Sequence, residues 1–355
     1  MNSFRSSLQE LFLFSLKINT IILPGNTLPL RLKILIGALL LISLAVWHLF
    51  AGSTAISLSD FYNSLADYDY SNTHHIIARD LRIPRTITAI IAGAGLSLAG
   101  LLMQTIFKNP LAEPNILGVS TGASLFVAIT LLTGISFFQS DWGLISSALL
   151  GAFIFGVVIL FFARFVRSQG SLLLVGIMLG SFSAAFISII QAWSDAHQLK
   201  LYTLWAMGSL QQVSFQQLPL VCIIFLMGVL LSFFFIRALN ALVLGQENAS
   251  LLGINVRNVR VFTILIAAIL TGLITAFCGP IAFLGMAVPN LVKMIFKTHD
   301  HRLLIIGCLL TGGSFLLICD ILVQLLSGTM LLPINAITSM IGAPFVIYII
   351  LKRWS

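Results

Sequence analysis

Arg79, Arg82 and Arg85 fall within seven residues, in the stretch RDLRIPR, of a chain in which charge is scarce. Guanidinium groups so placed can take carboxylates, and Asp80 is the nearest one in sequence. Other groups with chemical reach are few. The six histidines are scattered, and the close pairs His74-His75 and His299-x-His301 lie in polar stretches, where they read as solvated surface rather than a metal site. The four cysteines (Cys222, Cys278, Cys308, Cys319) sit in apolar runs without a C-x-x-C spacing and read as small buried hydrophobes. Asp320, in LLICDILVQLL, is the acid placed inside an apolar run; near its outer end it reads as reaching water or capping a neighbouring helix. No G-x-x-x-x-G-K-[ST], H-E-x-x-H or G-x-S-x-G pattern occurs. The chain therefore reads as binding no ATP through a P-loop and as having no catalytic or metal cluster. Ion-coupled transporters keep carboxylates or histidines mid-membrane, and one marginal acid is thin support for that.

The elements that must position these residues are membrane spans. Hydrophobic residues make up 59% of the 355 and charged residues only 8%, where a soluble domain carries about a quarter. Ten apolar segments are long enough to cross about 30 Å of hydrocarbon: 34–51, 84–107, 115–136, 144–164, 171–192, 218–237, 259–277, 280–296, 303–326 and 333–351. The expected fold is an all-α integral membrane protein, about ten helices in one bundle. In the second span, AGAGLSLAG puts small residues on more than one helix face. Small residues let helices approach closely in lipid, so this span should be central, surrounded by others. Residues 34–355 form the ten-span domain. Residues 1–33 read as a cytoplasmic segment, either an interfacial helix or a tail. Glu10 and Lys17 interrupt its apolar run, which argues against a cleaved signal peptide.

Orientation follows from the basic residues. With the N-terminus in the cytoplasm, Arg31, Lys33, Lys108, Arg164, Arg167, Arg237, Arg257, Arg260, Lys293, Lys297, Arg302, Lys352 and Arg353 fall inside. Only Arg79, Arg82, Arg85 and Lys200 fall outside. The net charge of +8 thus reflects the positive-inside bias rather than a nucleic-acid partner. The three arginines break that bias.

Three inside stretches are too polar or too stiff for simple turns. LGQENASLLGINVRNVR (244–260) holds a two-turn helix between Gly245 and Gly253. Its apolar residues Ala249, Leu251, Leu252, Ile254 and Val256 either face a cytoplasmic partner or pack on the bundle. KNPLAEPNILG (108–118) is irregular but stiffened by two prolines. RSQGS (167–171) is short and polar. The last two read either as gate elements or as ordinary loops.

RIPRTITAIIAGAGLSLAGLLMQTIFKNPLAEPNILGVSTGASL, LLGINVRNVR, GPIAFLGMAVPNLVKMIFKTHDHRLLI and LPINAITSMIGAPFVIYIILKR together resemble the successive signatures of the FecCD-type permease family. These are membrane subunits of binding-protein-dependent ABC importers for iron–siderophore complexes, haem and vitamin B12. The resemblance runs from about residue 34 to the C-terminus. It implies a multi-pass subunit of the cytoplasmic (inner) membrane, surrounded by lipid, that pairs with a second copy or a paralogue. Two ATP-binding subunits, which hold the ATP and magnesium, bind below, and an extracytoplasmic substrate-binding protein docks above. By resemblance, Arg82 and Arg85 dock the binding protein. Asn109, Pro110 and Leu111, with Ser168, Gln169, Gly170 and Ser171, form the cytoplasmic gate. Gln246, Glu247, Ala249, Leu252, Gly253 and Val256 belong to the ATPase-coupling segment. Gln324 stands where some members carry arginine, and Leu332 where a glutamate is often found. Ferric siderophores are the commonest cargo of the family, and the chain itself needs no cofactor.

A gradient-driven secondary transporter is the first rival, and it needs a coupling-ion site. An integral-membrane enzyme is the second, and it needs clustered catalytic side chains. An ATPase-driven permease accounts together for the missing P-loop, the apolar interior, the inside helix and the outside arginines.

Overall fold

The computed structural model describes residues 28–52, 54–133, 140–166, 169–326 and 332–354, and within these the regular structure is helical. In chain order the helices are α1 (Leu30–Phe50), α2 (Leu58–Ala66), α3 (Ile83–Phe107), α4 (Val119–Leu132), α5 (Asp141–Phe165), α6 (Gln169–Ala192) and α7 (Ala196–Ala206). They continue as α8 (Leu218–Phe234), α9 (Ile236–Val243), α10 (Gln246–Leu251), α11 (Val256–Cys278), α12 (Leu284–Phe296), α13 (His301–Leu326) and α14 (Ile334–Trp354). Each of the ten expected spans has its helix. Six are long and apolar enough to cross a membrane alone; α8 and α9 form a bent pair, and α4, α12 and α14 are shorter apolar helices.

α3 is the central element. Nearly all of it is buried, and α11, α12 and α13 pack along it. The reason is backbone approach. A Cβ on Gly93 would lie 2.1 Å from the Gly312 carbonyl of α13, and one on Gly100 would lie 1.9 Å from the Gly285 carbonyl of α12. α1 and α6 are the opposite case, with long apolar faces left exposed for lipid or another chain.

Two spans are shorter than their apolar runs suggest, for a shared reason. α12 has 13 residues and α4 has 14, so each is about 20 Å long, short of the hydrocarbon thickness. Irregular backbone completes both. The 108–118 stretch does not stay at the bundle's end as the sequence suggested: Gly118 packs against Phe155 of α5 and Leu179 of α6, well inside their lengths. There it meets the break between α11 and α12. The Glu113 carboxylate accepts from the Phe283 N–H at 2.9 Å, and Asn115 donates to the Ile281 carbonyl at 3.2 Å. Asn335 of α14 accepts from Ala282 N–H at 3.0 Å and donates to the Pro280 carbonyl at 2.6 Å. Non-helical backbone survives at membrane depth when protein groups satisfy it, as these side chains do. Phe283 takes a left-handed conformation (φ +69°), rare for a bulky residue.

Basic residues gather at one end of the bundle. Lys33 donates to the Ile295 carbonyl of α12, and Lys293 to Gln104 of α3. Arg257 and Arg260 donate to the Arg164 and Val166 carbonyls at the C-terminus of α5, which the helix dipole favours. Arg79, Arg82 and Arg85 lie at the other end.

Candidate functional site

A π-helical turn, Ile77–Arg82, leads into α3, and Pro84 occupies its first turn, where a missing N–H is harmless. Such turns often mark functional sites. Arg82 points into the protein and is only 8% exposed. Its guanidinium donates to the Leu49 carbonyl at 3.0 Å and to the Thr54 carbonyl. Gly52 makes room: at φ +147°, a Cβ there would lie 2.9 Å from Arg82 Nη2.

Arg85 makes a two-point pair with Asp320 of α13, Nε to Oδ2 at 2.7 Å and Nη2 to Oδ1 at 2.9 Å. His48 of α1 lies 2.6 Å from the same Oδ2 through Nε2 and 2.7 Å from Thr86 Oγ1 through Nδ1. Gln324, one turn beyond Asp320, donates to Oδ2 at 3.2 Å. Asp320 therefore neither reaches water nor caps a helix. It is the buried anion that joins α1, α3 and α13. Asp80, the carboxylate nearest the arginines in sequence, accepts the Tyr68 hydroxyl at 2.6 Å, and Arg79 lies over the rings of Tyr68 and Phe215.

An open cavity of about 510 Å³ lies at this end, and its polar wall includes Arg82, Arg85, Ser209, Gln211, Gln212 and Gln324. Leu332, where a glutamate was the alternative, also lines it. The two arginines expected to act alike are thus distinct. Both line the cavity, but Arg82 is buried against two backbone carbonyls, whereas Arg85 is more exposed and matched to a carboxylate.

At the opposite end, Lys108 closes α3 in a left-handed conformation. Asn109 accepts from the Leu111 N–H at 2.9 Å through its side chain, and the Pro110 carbonyl accepts from Asn290 of α12 at 2.8 Å. The Asn109–Leu111 stretch is therefore tied to α12. Of the second gate stretch, Ser168 lies outside the described residues, while Gln169, Gly170 and Ser171 begin α6. The N-terminal segment likewise falls outside them up to residue 27.

The helix expected between Gly245 and Gly253 is α10, but it has a companion that its sequence did not suggest. α9 leaves α8 at 54° and joins α10 through Gly245. In α10, Ala249 turns inward and is fully buried, while Leu251 and Leu252 are 86% and 64% exposed. Of the two readings of the five apolar residues, packing on the bundle holds for Ala249, while Leu251 and Leu252 are left exposed, as is Leu244 before α10. Gln246, Glu247 and Gly253 are also exposed, and Val256 is half-buried at the start of α11.

The two histidine pairs are each half solvated surface: His299 is exposed and His74 is partly so. His75 and His301 are buried, and His74 pairs with Asp60 at 3.1 Å. The sequence reading missed His48 and Glu113 and took His301 for surface; the partners of Glu113 and His301 lie 170 and 196 residues away.

Comparison with known proteins places this architecture. The family model described as the FecCD transport family matches residues 39–352. The chain belongs to the FecCD transport family. The hemin transport system permease protein HmuU of Yersinia pestis is 32% identical over 324 residues, which is 90% of this chain and 96% of that protein. The vitamin B12 import system permease protein BtuC of Shigella boydii is 33% identical over 325 residues, 91% and 95% of the two chains. A metal-chelate type ABC transporter solved in an inward-facing conformation is 27% identical, with a TM-score of 0.80, covering 91% of this chain and 99% of that one. This chain is a multi-pass membrane permease subunit of the ABC importer type.

Proposed function

We propose that this chain, paired with a second copy, moves a ferric siderophore inward across the cytoplasmic membrane, driven by ATP hydrolysed on two separate subunits. The observation that carries the reading is the pairing of an open cavity at one end of α3 with an exposed leucine pair, Leu251 and Leu252, at the other. The cavity end is the one that faces outward when the basic residues face the cytoplasm. A substrate-binding protein docks there and delivers cargo, with Arg85 meeting one of its carboxylates. The leucine pair on α10 takes the ATPase. The Asn109–Leu111 stretch and the start of α6, with Ser168, close the pathway at the cytoplasmic side, opposite the same segments of the second copy.

A second cargo, a metal tetrapyrrole, is favoured by a specific observation: relatives matched over nine-tenths of this chain are named for hemin and vitamin B12. Mass spectrometry of the ligand retained by the binding protein purified with the complex decides between the two. A hydroxamate or catecholate iron complex supports the first reading. Haem or a corrinoid supports the second, and a free amino acid or sugar excludes both.

A further inference from the structure

We propose that His301 fastens the helix pair α9–α10 to the central span, so that force applied to the pair moves α3. The proposal rests on reading α9–α10 as the ATPase contact. His301 is 2% exposed, and both ring nitrogens are engaged. Nδ1 lies 2.8 Å from Asn240 Oδ1 of α9, and Nε2 lies 2.8 Å from Thr105 Oγ1 of α3.

The orientation of Asn240 is fixed by its other bonds. Its amide donates to Asp300 at 3.0 Å, and its oxygen also accepts from the His301 backbone N–H at 2.8 Å. Nδ1 must therefore be the donor toward Asn240, which leaves Nε2 to accept from the Thr105 hydroxyl, whose other acceptor is the Leu101 carbonyl at 2.8 Å. Asp300 is a secure acceptor: the Asn240 amide, then the Arg302 backbone N–H, hold its carboxyl below the usual range.

The ring thus fills the gap between two elements with a bond at each end. On one side, α9 runs through Gly245 into α10 and its exposed leucines. On the other, α3 is continuous from Thr105 to Arg85 at the cavity, about 30 Å at helical rise. A rigid helix tied through His301 to the proposed ATPase-contacting pair at one end, with the other end in the cavity wall, is a physical connection between two sites. Such connections are established by coupling measurements rather than by position.

The test uses the full complex of permease, ATPase and binding protein in proteoliposomes, reading ATPase retention, basal hydrolysis and chelate uptake per ATP. His301→Phe keeps the ring's bulk and removes both nitrogens. Thr105→Val is isosteric and removes only the far hydroxyl, which guards against a folding defect in the first variant. Each should retain the ATPase and its basal hydrolysis while uptake per ATP falls about tenfold, within the range of coupling between sites. The double variant His301→Phe/Thr105→Val should be no worse than His301→Phe alone, because both cut one connection. Wild-type uptake per ATP in both single variants, or fully additive losses, overturns the proposal. Retention of the ATPase by Leu251→Asp/Leu252→Asp overturns the reading beneath it, and with it the proposal.

Discussion

In the proposed docking, Asp320 competes with the incoming carboxylate for the charge of Arg85, because it already holds Nε and Nη2 of the guanidinium. Replacing Asp320 by Asn removes the competitor and keeps the shape. Association of the binding protein at low salt should then speed up, by at most about fivefold, the equivalent of the ~1 kcal/mol of an exposed pair. The same change should cost about 1–3 kcal/mol of stability, since His48 and Arg85 lose a buried acceptor. Stopped-flow association and thermal unfolding in detergent check the two halves; an unchanged or slower association would sink the competition. Arg82 should behave differently. A carboxylate facing the Leu49 and Thr54 carbonyls is unpaired and buried, so Arg82→Glu should lose about 3–5 kcal/mol and appear as poor folding rather than slow docking. The arginines were legible in sequence because they break the basic-residue bias. Their different roles were not, because the pairing of Arg85 with Asp320 depends on how α13 packs against α3, 235 residues away.

Among elements, the small residues of the second span announced a crowded central helix, and the Gly93 and Gly100 contacts with neighbouring backbone are the cause. The glycines are not equivalent. At Gly100 an added Cβ meets the Gly285 carbonyl, whereas at Gly95 it meets the end of the Ile274 side chain at 2.7 Å. Backbone cannot yield as a methyl can, so Gly100→Ala should cost about 1–3 kcal/mol and Gly95→Ala clearly less. Equal melting temperatures for the two variants in detergent would contradict this. The shortness of α4 was not legible, because its apolar run begins before the helix does, whereas the run for α12, 280–296, is itself short. What shortens them is the mutual satisfaction of two irregular stretches through Glu113, Asn115 and Asn335. Glu113→Leu should therefore leave the Phe283 N–H unsatisfied and lose about 1–3 kcal/mol, with Glu113→Gln, which keeps an acceptor, losing less. α9 escaped notice as well, since eight residues with one arginine and one asparagine look like the frayed end of a span.

The molecule as a whole is a lipid-embedded bundle whose two ends differ in what they can bind. One end has a polar cavity walled in part by a cation paired with a carboxylate, and the other has two exposed leucines on a helix pair tied inward. That division describes a conduit driven by subunits outside it, and it separates this account from a gradient-driven carrier. The most direct measurement is chelate uptake into proteoliposomes holding the chain with its ATPase, with the binding protein on the outside and ATP sealed inside. The account predicts uptake that requires ATP, stops with vanadate, and persists when proton and sodium gradients are collapsed. Uptake by the chain alone, following an imposed ion gradient and indifferent to vanadate, would contradict it.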